Sequence, residues 1–268
     1  MSSKSLATWN INSVRLRLPL VERFLAEFRP DVLCLQEIKC QNEQFPKKEL
    51  TAAGYPYQAV HGQKGYHGVA IISKFPLTDI STRVFCEIEE SRHVSATLDF
   101  GKGPVTVHNF YIPAGGDEPD PEINPKFKHK LGFLAELQEW FGADHFRERQ
   151  LICGDFNIAP LEHDVWSHKQ LLDVVSHTPV ETNLFGEVQA AFEWTDVTRR
   201  FVPPEQKIYS WWSYRAADWE ASDRGRRLDH VWASPGLKDA LTSQAIFKKM
   251  RGWQKASDHV PIMIELDM

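Results

Sequence analysis

The sequence predicts a two-sheet α/β sandwich, with residues 1–268 forming a single domain. Three observations support this prediction. Short apolar runs rich in β-branched and aromatic residues recur along the chain, few segments show a helical spacing of apolar residues, and the length is sufficient to bury one ordinary core. Strands that outnumber helices this strongly argue against a doubly wound sheet, in which the two alternate.

Each predicted strand is a short β-rich apolar run, and helices fall between some of these runs. In residues 18–29 the apolar side chains share one face, and Pro30 ends the helix. In residues 125–141 a similar face follows Asn124, a typical N-cap, and Pro125, which suits the first helical position. We expect the strands near residues 5–10, 31–36, 68–73, 93–99, 104–112, 150–154, 207–213, 228–233 and 260–266.

Two long loops separate predicted elements. Residues 113–125 are rich in Gly, Pro and Asp and join a strand to a helix. A loop of that length inside a compact domain is usually functional. Residues 214–227 form a second loop, which ends in a cluster of arginines.

The charge of the chain is unevenly distributed. Lys and Arg number 31 against 36 Asp and Glu, so the net charge is −5, whereas a nucleic-acid-binding protein is more often basic. Local basic clusters nonetheless occur at Arg15 with Arg17 and within residues 126–130, 224–227 and 248–251. Each cluster could bind phosphate or could simply form a solvated surface.

Composition also bears on location and on the metal. The chain has four cysteines, and none forms a C-x₂-C pair, which argues against a zinc site and suits a reducing cytoplasm. The N-terminal residues lack a signal-like apolar segment, and no apolar run is long enough to span a membrane. We therefore expect a cytoplasmic protein without membrane contact.

Polar residues lie at the ends of several predicted strands, where an ordinary core strand would not need them. Strand ends are rigid supports for a site, and oxygen ligands without cysteine favour a hard cation such as Mg²⁺ or Mn²⁺. Such a cation beside a phosphate neutralises developing charge and positions an attacking water. Taken singly, each residue could equally cap a turn or end a strand in solvent. The residues are Asn10, Glu37, Tyr111, Asp155, Asn157, Asp229, Asp258 and His259.

The order of short motifs along the chain is more specific than any one of them. The motifs are Trp9–Arg15, Leu35–Lys39, Gly65–Ala70, Asn109–Pro113, Gly154–Asn157, Tyr209–Arg215, Arg224–Asp229 and Ser257–His259. In this order they resemble the exonuclease III-type abasic-site endonucleases of the endonuclease/exonuclease/phosphatase superfamily. The resemblance implies an α+β fold, a four-layer α/β sandwich in which two mixed β-sheets pack face to face and are flanked by helices.

The resemblance also implies roles for the residues that follow the strands. Glu37 is then the principal ligand of Mg²⁺, for which Mn²⁺ could substitute. Asp155 orients or deprotonates the attacking water, while His259, oriented by Asp229, polarises a phosphate oxygen; the proton could be handled by Asp155, Tyr111 or His259. The implied metal-binding residues are Asn10, Glu37, Asp155, Asn157, Asp258 and His259. The implied catalytic residues are Tyr111, Asp155, Asn157, Asp229 and His259.

Contacts with DNA are implied in the same way. Trp212 and Leu228 wall a pocket for a flipped-out abasic sugar, whereas alternation turns Trp211 to the opposite face of the strand, toward the core. Arg226 stands where some relatives carry an apolar pocket residue, and Asp117 belongs to an acidic loop that replaces polar or basic residues of some relatives. The implied DNA-binding residues are Asn12, Arg15, Lys39, His67, Trp212, Arg224, Arg226, Arg227 and Leu228.

The function implied by the resemblance is DNA repair. The chain would be a monomeric, Mg²⁺-dependent phosphodiesterase that hydrolyses double-stranded DNA 5′ to abasic sites, removes 3′ nucleotides and trims blocked 3′ ends. One alternative keeps the chemistry and changes the substrate to RNA, phospholipid or inositol phosphate. Another is a catalytically silent regulator that binds nucleic acid.

Overall fold

The computed structural model describes residues 3–143, 149–216 and 218–268. The strands are β1 (Ser3–Asn10), β2 (Val32–Gln36), β3 (Tyr57–His61), β4 (Val69–Ser73), β5 (Thr78–Ser81), β6 (His93–Asp99), β7 (Pro104–Tyr111), β8 (Gln150–Asp155), β9 (Thr195–Asp196), β10 (Trp211–Trp212), β11 (Gly225–Arg226), β12 (Asp229–Ala233), β13 (Leu241–Ile246) and β14 (Ile262–Asp267). The helices are α1 (Leu18–Phe28), α2 (Lys47–Ala52), α3 (Pro125–Phe141), α4 (His168–Leu171), α5 (Pro179–Ala190), α6 (Val197–Phe201) and α7 (Trp219–Ser222). Single 3₁₀ segments lie at Asn42–Gln44, Glu162–Asp164, Pro235–Ala240 and Lys248–Gly252.

The strands form two six-stranded mixed sheets, which confirms the predicted fold class. The first sheet has the order β13-β14-β1-β2-β4-β3, and the second has the order β5-β6-β7-β8-β12-β9. In the first sheet β1 and β2 run parallel, in the second β7 and β8 run parallel, and the other neighbouring strands are antiparallel. Each sheet therefore has one parallel pair near its middle.

Every central strand is buried on both of its faces. Successive side chains of a strand point to opposite faces, so in β1 Leu6 enters the core between the two sheets while Ala7 enters the core beneath the helices. The strands β2, β4, β8 and β12 are buried at every residue. This double burial explains why their sequences read as continuous apolar runs instead of alternating patterns.

Helices cover the outer face of each sheet and complete the four layers. Phe24 of α1 and Leu50 of α2 pack against the outer face of the first sheet, and Phe133 of α3 and Phe185 of α5 pack against that of the second. The Asn124 side chain caps α3 by accepting from the backbone N–H of Lys126, as predicted. No helix within the described residues is both long and apolar enough to cross a membrane.

Strands at the sheet edges are where the sequence prediction falls short. The strands β3, β5, β9, β11 and β13 were not predicted, and β5 is exposed at every residue, so it lacks an apolar signal. The predicted strand over residues 207–213 is wrong beyond Trp211–Trp212. Backbone groups of that segment pair with several separate segments, for example Ile208 with His163 and Val260 with Ser210, so no continuous ladder forms.

A buried cluster of charges lies beside β9 and β12. Arg227 is fully buried and donates to both carboxylate oxygens of Asp164, at 2.7 and 2.9 Å, and to Asp196 at 2.8 Å. Arg199 adds a second cation against Asp164 at 2.5 Å. The prediction that Arg227 contacts DNA is therefore wrong, because its guanidinium has no exposed surface and is used within the fold.

We expect Arg227→Met to lower the free energy of unfolding by roughly 3–5 kcal/mol, because breaking a buried ion pair leaves uncompensated carboxylates. Urea unfolding at neutral pH measures this change. The matched control is Arg200→Met, at an exposed arginine of α6, which should shift the free energy by no more than about 0.5 kcal/mol. Equally small shifts in both variants would contradict the structural role of Arg227.

Candidate active site

The candidate site opens where the two parallel strand pairs end. Asn10 ends β1, Glu37 follows β2, Tyr111 ends β7 and Asp155 ends β8. All four lie at the carboxyl ends of strands, and Glu37, Tyr111 and Asp155 line one cavity between the two sheets. That cavity has a volume of about 220 Å³ and is also lined by Asn157, Leu228, Asp258 and His259, among others.

Asn10 connects the two sheets at the floor of this cavity. Its buried Nδ2 donates to Glu37 Oε1 and to Asp155 Oδ2, each at 2.9 Å. Its Oδ1 accepts from the backbone N–H of Asn12 at 3.0 Å. In this orientation Asn10 positions two carboxylates and directs a nitrogen, not an oxygen, toward them.

A second buried amide, that of Asn109, also links the two sheets. Asn109 is fully buried in β7, and its Nδ2 donates to the carbonyl oxygens of Leu35 and Ala70 in the other sheet, at 3.0 and 2.9 Å. Its Oδ1 accepts from Gln36 Nε2 at 2.6 Å. Gln36 immediately precedes Glu37, so the network fixes the strand that carries this carboxylate.

His259 is held as a charged ring by Asp229. Its Nδ1 lies 2.8 Å from Asp229 Oδ2, which also accepts from Ser210 Oγ at 2.6 Å. Burial by itself would lower the pKa of His259, but the carboxylates of Asp229 and Asp155 outweigh it and raise that pKa to about 10. The Nε2 lies 3.6 Å from Asp155 Oδ2 and points into the cavity as a donor.

Asp155 and Tyr111 are perturbed in the direction that favours their protonated forms. Burial, together with the nearby carboxylates of Asp229 and Glu37, raises the pKa of Asp155 to about 7, although the His259 charge opposes this shift. Burial and the carboxylates of Glu37 and Asp155 also raise the pKa of Tyr111 well above its usual value. At neutral pH the tyrosine is therefore a hydrogen-bond donor, and Asp155 is the group that can change its protonation.

A chain of hydrogen bonds runs along the rim from Glu37 to Asp258. Lys39 Nζ lies 2.8 Å from Glu37 Oε2 and 2.6 Å from Asn12 Oδ1. Asn12 Nδ2 donates to Asp258 Oδ1 at 3.1 Å, and Trp211 Nε1 donates to Asp258 Oδ2 at 2.9 Å. Burial acts to raise the pKa of Glu37, but the Lys39 ammonium and the hydrogen bonds from Lys39 and Asn10 outweigh it and lower that pKa.

The site fits a hard divalent cation. Four carboxylates, those of Glu37, Asp155, Asp229 and Asp258, lie at this site; Lys39 and His259 pair with them, and Arg226 lines the same cavity. An oxygen-rich donor set with excess negative charge suits Mg²⁺ or Mn²⁺. Because the ring of His259 is protonated, the oxygens of Glu37, Asp155 and Asp258 are better ligands than its nitrogens.

Backbone conformation at the site is unusual for residues with side chains. Asn12, Glu37, His67 and Asn157 all have positive φ, between 47° and 54°, and such left-handed residues cluster at functional sites. Gly154 has φ of 140°, and a Cβ atom there would lie 1.9 Å from the carbonyl oxygen of Phe110. Only glycine therefore lets β8 approach β7 closely enough to place Asp155.

Asn157 is fixed by both its backbone and its side chain. Its N–H donates to Asp155 Oδ1 and its Nδ2 donates to the Ile112 carbonyl, each at 2.9 Å. Its own carbonyl accepts from the buried Lys130 Nζ at 2.8 Å. Lys130 pairs with the equally buried Glu181 at 2.5 Å, so a charge pair beneath the cavity holds the loop that carries Asn157.

Lys130 and Trp211 are the residues that sequence reasoning missed. Lys130 lies three positions after Phe127 and four before Leu134, on the apolar face of α3, and a lysine at such a position was the available signal. Trp211 is half-buried and lines the cavity, whereas Trp212 is only 1% exposed and packs with Tyr209 and Val260. The predicted place of Trp212 in the pocket wall is therefore wrong, and Trp211 takes it.

The other predicted DNA-binding residues lie at different distances from the cavity. Leu228 lines it, and the half-buried Arg226 closes one side. His67 lies beside Tyr111, with 5.8 Å between ring centroids. Arg224 is exposed and stacks over Trp166. Arg15 is exposed in a separate groove formed with residues 42–49, so the structure does not bring it to the site.

Comparison with known proteins adds independent findings. The endonuclease/exonuclease/phosphatase family model matches residues 7–259. The chain is 32% identical to exodeoxyribonuclease III of Haemophilus influenzae, over 96% of this chain and 98% of that protein. It is 28% identical to an exodeoxyribonuclease of Bacillus subtilis, over 98% of this chain and 99% of that protein.

Solved structures show the same fold. A variant of the 3′ phosphatase NExo from Neisseria, bound to a product DNA hairpin, superposes with a TM-score of 0.89 at 32% identity, covering 99% of this chain and 100% of that one. An AP endonuclease from Archaeoglobus fulgidus gives a TM-score of 0.90 at 30% identity, with the same coverage.

We expect the His259 ring to remain protonated up to about pH 10 in the metal-free protein, because Asp229 and Asp155 stabilise its charge. Nitrogen chemical shifts of the labelled ring measure this pKa, and Asp229→Asn should lower it. Since the folded-state pKa is raised, the stabilisation from this pair is complete below the unfolded pKa of about 6.5 and is lost as pH rises through about 10. Titration near pH 6.5 in the unaltered protein would contradict the assignment.

Proposed function

The chain belongs to the endonuclease/exonuclease/phosphatase family, and from this membership and the site geometry we propose a Mg²⁺-dependent DNA-repair phosphodiesterase. It hydrolyses the backbone of double-stranded DNA 5′ to abasic sites, removes 3′ nucleotides and trims blocked 3′ ends. Residues 1–268 act as one catalytic domain and as a monomer, in the cytoplasm. Its relatives bear the names of exodeoxyribonucleases, AP endonucleases and a 3′ phosphatase.

One observation carries this proposal. Carboxylates from both sheets, Glu37 and Asp155, meet the imidazolium of His259 in a single cavity, and Asn10 holds the two carboxylates together. The cavity thus combines an excess of negative charge, which suits a divalent cation, with a fixed and positively charged hydrogen-bond donor for a phosphate oxygen. No feature of this arrangement favours RNA or phospholipid as the substrate, and none favours a binding role without catalysis.

The protonation states divide the chemical roles. Tyr111 and His259 both carry protons at neutral pH, so they donate hydrogen bonds to the non-bridging oxygens of the phosphate. Asp155 is then the base: it accepts the proton of the water that attacks phosphorus, while the bond to O3′ breaks on the opposite side and O3′ takes a proton from solvent. Asn157 lies beside Asp155 and orients the same water. Mg²⁺, held by Glu37, Asp155 and Asp258, would supply charge neutralisation at the reacting phosphate.

The contacts of these groups explain why they are preorganised. Asp229 and Ser210 fix the His259 ring, Asn10 fixes Asp155, and the Lys130 pair fixes the Asn157 loop. Donors that are already in place need no reorganisation during reaction, and this is usually the largest electrostatic contribution to catalysis.

With Mg²⁺ we expect the purified protein to cut a DNA duplex carrying one abasic analogue on its 5′ side, and EDTA should stop the reaction. Denaturing gel electrophoresis of an end-labelled strand measures the cut. An RNA duplex of the same sequence and a phospholipid substrate serve as comparisons. Turnover of either comparison without cleavage of the DNA would overturn the proposed substrate.

We expect Asp155→Asn to lower kcat by at least about 10³-fold, since loss of one preorganised group in such a site commonly costs 10²–10³-fold and here the base is lost as well. Affinity for abasic duplex, measured by fluorescence anisotropy, should persist. The matched control, Asp239→Asn, changes an exposed carboxylate beyond the opposite end of β12 from Asp229 and should leave kcat unchanged. A near-normal rate in Asp155→Asn would refute its role as base.

A further inference from the structure

The catalytic cavity continues into a recess on one side. Trp211, Arg226, Leu228, Val175 and Ser176 line this part, and the same cavity contains Glu37, Asp155 and His259. A group attached to a phosphate that lies among the catalytic residues can therefore enter the recess. We call this part of the cavity the Arg226 recess.

Arg226 is held rigidly in its place at the wall. Its backbone pairs with Trp211 across the β10–β11 ribbon and bridges to Val165. Its Nη1 donates to the Val175 carbonyl at 3.0 Å and to Ser176 Oγ at 2.7 Å. The guanidinium carbon lies 5.5 Å from the centre of the Trp211 ring, a distance typical of a cation–π contact.

The acceptors of Arg226 are fixed as well. The backbone N–H of Ser176 donates to both carboxylate oxygens of Glu181, at 3.0 and 3.1 Å. Glu181 is fully buried and paired with Lys130, the same lysine that holds the Asn157 loop. The Nη1 end of the guanidinium is thus anchored to the structure that supports the catalytic residues.

Substrates of the proposed activity differ in what enters this recess. In each of them the bond between phosphorus and O3′ breaks, with water supplying the new oxygen. At an internal abasic site the phosphate also carries a sugar and the following strand, and at a nucleotide end it carries a nucleotide. At a 3′-phosphate end it carries nothing further, so no sugar or nucleotide occupies the recess.

A guanidinium in the recess discriminates between these substrates by space and by charge. A sugar must share the recess with Arg226 or displace it from Val175 and Ser176. A terminal phosphate needs no such displacement and has a charge of about −1.5 to −2 at neutral pH, more than the single charge of a diester. Of the three guanidinium nitrogens of Arg226, only Nη1 has a hydrogen-bond partner within the described residues. Nε and Nη2 can therefore bind this anion.

We propose that Arg226 sets the substrate preference of this cavity, favouring DNA ends that carry a 3′-phosphate over internal abasic sites. The inference rests on the proposed function, because it assumes that the cavity hydrolyses phosphate esters of DNA. One side chain would thus determine the ratio between two reactions of the same site, removal of a 3′-phosphate and cleavage at an abasic site.

The test compares kcat/KM, with Mg²⁺, on two DNA duplexes of equal sequence. One duplex is nicked and carries a 3′-phosphate at the nick. The other is intact and contains an internal tetrahydrofuran abasic analogue. The unaltered protein should prefer the 3′-phosphate by at least about tenfold. Arg226→Leu should shift the ratio toward the abasic substrate by about 10–100-fold, the factor that corresponds to one hydrogen bond to a charged group.

Two further variants make the result specific to this guanidinium. Arg226→Lys keeps the charge but not the planar fork, and should give an intermediate ratio, which also serves if Arg226→Leu folds poorly. Arg200→Leu changes an exposed arginine of α6 and should leave the ratio unchanged. Thermal unfolding of each variant verifies the fold.

The outcomes separate the two proposals. An unaltered protein that prefers the abasic duplex, or a ratio that stays the same in Arg226→Leu and Arg226→Lys, overturns the role of Arg226 and leaves the phosphodiesterase function intact. An unaltered protein that hydrolyses neither duplex with Mg²⁺ overturns both. A preference for the 3′-phosphate that moves only in the Arg226 variants supports the inference.

Discussion

Two buried amides, Asn10 and Asn109, set the geometry on which the site depends. Apolar side chains such as Ile71 and Val107 also pack between the sheets, but apolar packing has little directional preference. Hydrogen bonds do have direction. Asn109 fixes backbone carbonyls of the first sheet against β7, and Asn10 then brings Glu37 and Asp155 to the same nitrogen. The separation of the carboxylates is thus determined by the contact between sheets.

Crowded carboxylates account for the division between acid and base. Asp229 is buried against His259 and keeps that ring charged, while the same excess of negative charge makes it harder for Asp155 to ionise. Neighbouring groups whose pKa values are pushed in different directions can act as donor and acceptor at one pH. A cation near Glu37 and Asp155 relieves the repulsion, so metal binding and proton transfer are electrostatically linked.

The sequence was most informative where burial is complete and least informative where hydrogen bonds decide. Central strands such as β2 and β8 were predicted because residues buried on both faces must be apolar, whereas β5 and β13 form at edges where that requirement is weak. Helix α3 was predicted from its cap and its apolar face. The membership of the family followed from the order of motifs along the chain, whereas the two-sheet fold was already indicated by the many short apolar runs.

The errors at Trp212 and Arg227 have a common physical origin. Alternation along β10 predicts that two neighbouring tryptophans face opposite ways, but it does not predict which of them faces the cavity. The hydrogen bond from the Trp212 N–H to the Asp258 carbonyl fixes the orientation of the strand. A cluster of arginines likewise looks uniformly basic in sequence. In the structure Arg224 is exposed to solvent, Arg226 lines the cavity and Arg227 pairs with buried carboxylates. They differ because successive strand residues point in different directions.

The position of β14 has a consequence for the timing of enzyme assembly in the cell. This strand, Ile262–Asp267, inserts between β1 and β13 and pairs with residues at the very start of β1, and Asp258 and His259 directly precede it. While the ribosome is still making the chain, one edge of β1 remains open and the imidazolium is absent from the cavity. Domains fold as units during synthesis, and here the last strand of the sheet arrives together with the last catalytic residue. A chain without this segment therefore has neither Asp258 nor His259, and one edge of β1 is left unpaired.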